Sequence, residues 1–291
     1  MRTRIALLAS LLAASFPSSF GLASELLTAG SIEAGAGWSL LEESNEESGP
    51  DETDDQSYPL IGGSGSLAVP LGGSFSTQLD VSGEKNYASS SEDDNQDSMI
   101  FGGAHLSWRD PARGLVGIFG GGGRGWTERY RGDTNATWIG VEGQAYLDAA
   151  TLYLQAARVS GDVEDTEENF RPAYVLRGVG RYFVDDDSRI EVATSFANAN
   201  DAVDGGDDMW AIDWALRYDR RISGGWHGFG AYRGAYFDTT TEGEQLTEHI
   251  AVVGIRYLFG AESLKANDRR GATLDQPSLP MRATNWVEPL D

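Results

Sequence analysis

Six arginines in the second half of the chain, Arg177, Arg181, Arg189, Arg217, Arg233 and Arg256, each sit on the polar side of a segment whose residues alternate between apolar and polar. Glu33, Asp80, Glu142, Glu191 and Asp213 occupy the polar side of theirs, and Arg124 joins the set in one register of its glycine-rich segment. A guanidinium presents a planar fork of donors that matches a carboxylate, so this collection can do one of two things. Facing water, a basic wall opposite Glu33, Asp80 and Glu142 sets up a transverse field that orients dipolar solutes. Facing itself, it closes into arginine–carboxylate pairs that fill an interior. An unpaired ion in a dry core costs several kcal/mol, so such a face is either wet or fully paired.

Two further patterns could do chemistry. Asp93, Asn95 and Asp97 have the D-x-N-x-D spacing of a calcium loop, but no Gly follows and Ala104 stands where the closing Glu belongs. They form no EF-hand; with the other acidic stretches they are compatible with loosely shared Ca²⁺ or Mg²⁺, and no other cofactor is expected. The run Gly120-Gly121-Gly122-Gly123-Arg124-Gly125 lacks the Lys-Ser/Thr and the following helix of a phosphate-binding loop. Glycines in a strand more often make room for a large neighbour.

The elements that position these residues have a period of two from Ser31 onward, the mark of a strand with a different environment on each face. Ile32, Ala34, Ala36, Trp38 and Leu40 share one side, opposed by Ser31, Glu33, Gly35, Gly37 and Ser39. Trp210, Ile212, Trp214, Leu216 and Tyr218 repeat the pattern against Asp213, Arg217 and Asp219. The alternation predicts about twelve strands, near 30–41, 58–69, 74–84, 98–108, 114–126, 136–147, 151–161, 171–183, 188–198, 209–219, 225–237 and 248–259. Their connections alternate too. Short turns at Pro70-Leu71-Gly72-Gly73, Asp110-Pro111, Asp148-Ala149-Ala150, Asp185-Asp186-Asp187 and Ser223-Gly224 interleave with long links at 42–57, 85–97, 127–135, 162–170, 199–208 and 238–247. That asymmetry predicts an all-β chain folded as a transmembrane antiparallel up-and-down β-barrel, with periplasmic turns and external loops. A soluble β-sandwich has no reason to keep it over six hairpins.

Charge sorts with the same elements. The chain has 45 acidic and 22 basic residues, a net charge of -23, and no cysteine. With Glu84 and Glu248 counted at their rims, the long links hold 28 of the acidic residues against Lys85, Arg129 and Arg131. Nucleic-acid partners are excluded by such a balance. The acidic links are solvated loops, and divalent cations could bridge them to lipopolysaccharide phosphates. At the start, Arg2 and Arg4 precede an apolar run from Ile5 to Ala14 and the small residues Gly21-Leu22-Ala23, the layout of a secretory signal peptide over 1–23. The barrel is expected over 24–259, and 260–291, with Pro277, Pro280 and Pro289, reads as a periplasmic C-terminal tail.

Ala251, Val253, Ile255, Tyr257 and Phe259 occupy alternate positions and end in an aromatic, which resembles the terminal strand by which bacterial outer-membrane proteins are read by their insertion machinery. Over 30–259 the chain resembles porin-like outer-membrane proteins of Gram-negative-type bacteria. The resemblance implies an outer-membrane location, lipid and lipopolysaccharide contacts, and passive passage of small polar solutes. The same architecture also serves non-conducting structural or surface-interacting barrels. His105-Leu106-Ser107 resembles the H-x-S part of the outer-membrane phospholipase motif, but Trp108 stands where Asn-Gly is needed, so no enzyme activity is expected. Trp210, Tyr218, Trp226 and Tyr257 read as interfacial girdles.

Overall fold

The computed structural model describes residues 28–45, 53–87, 98–127, 132–163, 169–200, 208–239 and 244–278. Twelve strands follow one another: β1 (Ala29–Asn45), β2 (Thr53–Gly72), β3 (Phe75–Asn86), β4 (Ser98–Asp110), β5 (Gly114–Thr127), β6 (Gly132–Tyr146), β7 (Ala150–Val163), β8 (Asn169–Asp185), β9 (Ser188–Asn200), β10 (Asp208–Ser223), β11 (Trp226–Thr239) and β12 (Glu244–Phe259). Each pairs antiparallel with its sequence neighbours, and β1 pairs with β12 from Gly30 opposite Phe259 to Asn45 opposite Glu244, so the sheet closes on itself. Closure leaves no edge, which is what a sheet needs to sit in hydrocarbon. One short helix, α1 (Leu264–Arg270), follows β12, and no described helix is long and apolar enough to cross a membrane.

The expected strands are all present and run longer than the alternation marked, extending a few residues into the acidic links. They span 12 to 20 residues, more than the roughly 9–11 a tilted strand needs to cross a bilayer. The facial assignment holds: Ile32, Ile139 and Val253 are 62, 68 and 70% exposed on the outer face. A large apolar face left open to this degree requires lipid against it. Trp226 lies tilted against Tyr257 at one end of this belt and Trp210 against Tyr236 at the other, with ring centroids 5.0 and 5.1 Å apart.

The short turns gather at one end of the barrel. Gly72, Gly73 and Gly224 have positive φ there, a backbone region that favours glycine. Asp110 and Asp185 brace two of the others, each accepting from the backbone N–H two residues on at 2.9 and 2.8 Å. Asp93, Asn95, Asp97 and the expected signal peptide lie outside the described residues.

Inside, the barrel has two zones. Towards the loop end Tyr58, Phe101, Phe119, Trp138, Val159, Val175 and Phe237 belong to one buried apolar cluster. Towards the turn end many inward residues are polar and charged, and that zone is occupied by the chain's own C-terminal segment. The tail therefore does not simply extend into the periplasm. Gly260, with φ of 71°, turns the chain at the end of β12. The hydroxyl of Ser263 caps α1 by accepting from the Ala266 N–H at 3.0 Å. After α1, residues 271–274, Gln276 and Pro277 are buried within the barrel.

Candidate functional site

The segment from α1 to Ser278 is held in the lumen by side chains from β3, β4, β6, β7 and β8. At the rim, Arg269 donates to the carbonyls of Leu147 and Ala150 at 2.6 and 3.0 Å and lies 4.5 Å from the centroid of the Tyr146 ring. Arg109 donates to Gly271 O at 2.8 Å and Thr151 to Asp268 Oδ2 at 2.5 Å. Deeper in, Gln78 acts as a surrogate strand edge. Its Oε1 accepts from the N–H groups of Thr273 and Leu274 at 2.9 and 3.1 Å, and its Nε2 donates to Leu274 O at 2.6 Å. Gln155 donates to Asp275 O at 2.7 Å. Buried backbone polar groups must be paired, and here lumen side chains do the pairing.

Thr273 to Gln276 alternate as an extended chain should. Leu274 packs with Leu115, Tyr146, Tyr153, Val179 and Ala193. Gln276 sits between Trp138 and His105: the indole Nε1 donates to its Oε1 at 2.6 Å, which fixes the amide so that its Nε2 lies 2.7 Å from His105 Nε2. Two glycines clear that space. A Cβ on Gly121 would stand 2.7 Å from Trp138 Nε1 and 2.9 Å from Gln276 Oε1, and one on Gly103 would stand 2.7 Å from Gln276 Nε2. The glycine run thus makes room for a tail residue as well as for an aromatic.

Thr273 and Asp275 face the arginines. Arg181 reaches Asp268 Oδ1 at 3.1 Å, Asp275 Oδ2 at 2.9 Å and Glu191 Oε2 at 2.8 Å, and also donates to Thr273 O and Oγ1 at 2.9 and 2.7 Å. Arg177, four residues earlier on the same face of β8, places both terminal nitrogens 3.3 Å from the same Asp275 oxygen. The Tyr153 ring lies 5.4 and 5.9 Å from the two guanidinium carbons.

From Arg181 the ion pairs continue around the wall. Arg189 meets Glu191 and Asp219 at 3.6 and 3.0 Å, Arg217 meets Asp219 and Glu33 at 2.8 and 2.9 Å, and Arg256 meets Glu33 and Asp219 at 2.8 and 3.5 Å. Arg217 also lies 3.9 Å over the Phe229 ring. The wall thus contributes five arginines, at 177, 181, 189, 217 and 256, against three carboxylates, Glu33, Glu191 and Asp219. The C-terminal segment adds two more carboxylates, Asp268 and Asp275, together with Arg269, 3.8 Å from Asp268.

The other candidate residues fall elsewhere. Glu142 and Asp80 do not oppose the arginines. They flank His105, whose Nδ1 is 2.8 Å from Glu142 Oε1 and whose Nε2 is 3.1 Å from Asp80 Oδ2. Tyr153 donates to Glu142 Oε2 at 2.6 Å and Gln155 Nε2 to the same oxygen at 3.3 Å. Ser107 pairs with Ser76 at 3.0 Å, and the His105 nitrogens are engaged by Glu142 and Gln276. Arg233 pairs with Glu84 at 2.6 Å, so Glu84 faces the lumen and does not belong with the acidic links. Asp213 is buried on the inner face of β10, and Arg124 pairs with Asp133 at 2.5 Å. Beyond the arginine network a void of about 170 Å³ remains, lined by Glu33, Glu84, Phe101, Arg217, Arg233 and Ser278. Among the described residues no cluster of His, Cys, Asp and Glu is arranged to hold a metal ion.

Gln78, His105, Tyr153, Gln155, Asp219, Asp268, Asp275 and Gln276 are among the residues that sequence reasoning did not assign to the site. The signal for the five on strands was the inward side of the alternation itself. For the tail it was weaker: Thr273-Leu274-Asp275-Gln276 alternates for four residues only.

A closed ring of twelve antiparallel strands, with an apolar belt outside, a charged lumen inside and short turns at one end, defines an outer-membrane β-barrel of the Gram-negative type. The fold is similar to that of an outer-membrane channel from Pseudomonas putida F1, at a TM-score of 0.52 and 11% identity over 84% of this chain and 100% of that one. It is also similar to the translocator domain of autotransporter NalP from Neisseria meningitidis, at a TM-score of 0.48 and 14% identity over 78% and 88% of the two chains. A FadL homologue from Pseudomonas aeruginosa aligns at a TM-score of 0.42 and 9% identity over 79% and 90%. No protein-family profile and no curated protein matches the chain.

Proposed function

We propose that the chain is a channel for small polar solutes in the outer membrane, and that its C-terminal segment closes the lumen. The observation that carries this reading is the nature of the filling. Twelve strands lie between the eight whose side chains fill the interior and the sixteen or more that leave an open channel. A barrel of this size built only as an anchor can be closed by its own wall. Here the closure is a segment that follows β12 at Gly260 and pairs with no strand, so leaving the lumen would break no strand pairing. The wall behind it is charged and, without Asp268 and Asp275, carries an excess of two arginines in its ion-pair network. Once the segment leaves, water reaches that charged wall and small polar solutes can pass along it; a permanently filled barrel has no use for a wall whose charges only the segment balances.

Liposome swelling with arabinose tests this reading. The full chain should admit the sugar slowly, and an Asp268→Asn, Asp275→Asn double variant several-fold faster, because three charge-assisted contacts, two to Arg181 and one to Arg177, are weakened. A variant that retains the folded barrel yet is as impermeable as the parent would favour the alternative, a non-conducting barrel whose acidic loops are the working part.

A further inference from the structure

We propose that Arg177 and Arg181 form a carboxylate-binding site on the lumen wall, and that Asp275 of the chain's own C-terminal segment occupies it as a stand-in for small carboxylate-bearing solutes. The inference deepens the channel reading and rests on it for its biological sense.

The geometry is that of a ligand site. One carboxylate oxygen, Asp275 Oδ2, receives Arg177 through Nη1 and Nη2 at 3.3 Å each and Arg181 through Nη2 at 2.9 Å. The two guanidinium groups sit four residues apart on one face of β8, so a single anion can bridge them. Arg181 is 2% exposed and is held in place from the wall side by Glu191, which receives its Nε at 2.8 Å, and by the Tyr153 ring. Arg177 is held by Gln155 Oε1 at 3.3 Å. These supports belong to the wall and stay when the tail leaves. The Asp275 side chain is the more exposed partner, at 38%, so the carboxylate lies at the water-facing side of a pre-built pair of arginines.

The charge count leads to the same conclusion. With Asp268 and Asp275 withdrawn, the network keeps five arginines and three carboxylates, and like charges in a confined lumen of low effective dielectric repel strongly. Such a wall demands an anion. Asp275 meets both arginines through Oδ2 alone; a free carboxylate, unlike a spherical ion, has a second oxygen with which to meet a guanidinium through parallel hydrogen bonds. Solute and tail therefore compete for one site: a carboxylate that enters the lumen takes over Arg177 and Arg181 and lowers the tail's hold on the wall.

Succinate and chloride, compared at equal ionic strength, separate this from simple screening. The readout is the rate at which a protease cleaves the C-terminal segment of the detergent-solubilised full chain. Succinate should speed cleavage severalfold and saturably, and chloride should not. An Arg177→Gln variant should need about tenfold more succinate, the weight of one charge-assisted contact. Asp275→Asn should need less, an opposite shift that a general loss of stability cannot mimic, with gel mobility of the unboiled protein confirming an intact barrel. Equal cleavage rates in the two salts, or a variant response that tracks stability alone, would overturn the site and leave Asp275 as a structural counter-ion. Conductance measured on the same samples keeps the two readings apart. A channel that opens alike in both salts keeps the function and loses this site, whereas saturable release by succinate without any conductance keeps the site and loses the channel.

Discussion

At the scale of single residues, the lumen follows the rule that buried ions persist only when paired. Arg181 has three carboxylate partners and almost no exposure, so Arg181→Gln leaves Glu191 to Arg189 at 3.6 Å and Asp268 to Arg269 at 3.8 Å in a poorly solvated interior. The variant should lose about 3–5 kcal/mol of stability, read as a lower urea midpoint. Arg113→Gln, which removes a pair to Asp110 that is 86% exposed on the arginine side, should leave the midpoint unchanged. Equal effects from the two would mean that the lumen is wet enough to screen its ion pairs. The sequence placed Arg177, Arg181, Arg189, Arg217, Arg233 and Arg256 on one face because alternation alone reports sidedness. It did not reveal which acid each would meet. Glu33 joins Arg217 and Arg256 across the β1–β12 seam, a pairing that only closure of the ring creates, whereas Asp80 and Glu142 went to His105 because β3 and β6 bracket the strand that carries it.

At the scale of elements, strands and turns were legible, since each is a local pattern repeated many times. A strand with lipid on one side and a charged lumen on the other must alternate, and a one-residue slip would turn every charge into the bilayer. The strand ends were less visible, because beyond the belt both faces meet polar surroundings and the alternation fades. The C-terminal segment was not legible as a lumen element. Its contacts span as many as 196 residues, as between Gln78 and Leu274, and its extended stretch is too short to set up a period. Its docking depends on the space above Gly121. Gly121→Ala puts a methyl group 2.5 Å from the Gly102 backbone oxygen on β4 and within 3 Å of both Trp138 Nε1 and Gln276 Oε1, so β4 must give locally and Gln276 should leave its place. Protease should then cut the segment several-fold faster while the unboiled protein keeps its fast gel mobility. An unchanged cleavage rate would mean that Gln276 is not an anchor.

At the scale of the whole molecule, a sheet with every strand paired on both sides resists detergent. The unboiled protein should therefore run faster than the boiled one; identical mobilities would contradict a closed barrel. Protease applied to intact cells should cut within 46–52 or 88–97, inside the long acidic links, and spare the C-terminal segment at the other end. The central claim is that a lumen with a charged wall is closed by a removable segment of the same chain, and single-channel recording in planar bilayers tests it most directly. The full chain should be closed or open only in brief events. A chain ending after Gly271, which lacks the lumen-threading residues but retains all twelve strands and α1, should conduct steadily. Its reversal potential across a salt gradient should favour anions, since Arg177 and Arg181 then face water without Asp275. Silence from a truncated protein that still migrates as a folded barrel would contradict the account and leave a barrel whose interior is filled for stability alone.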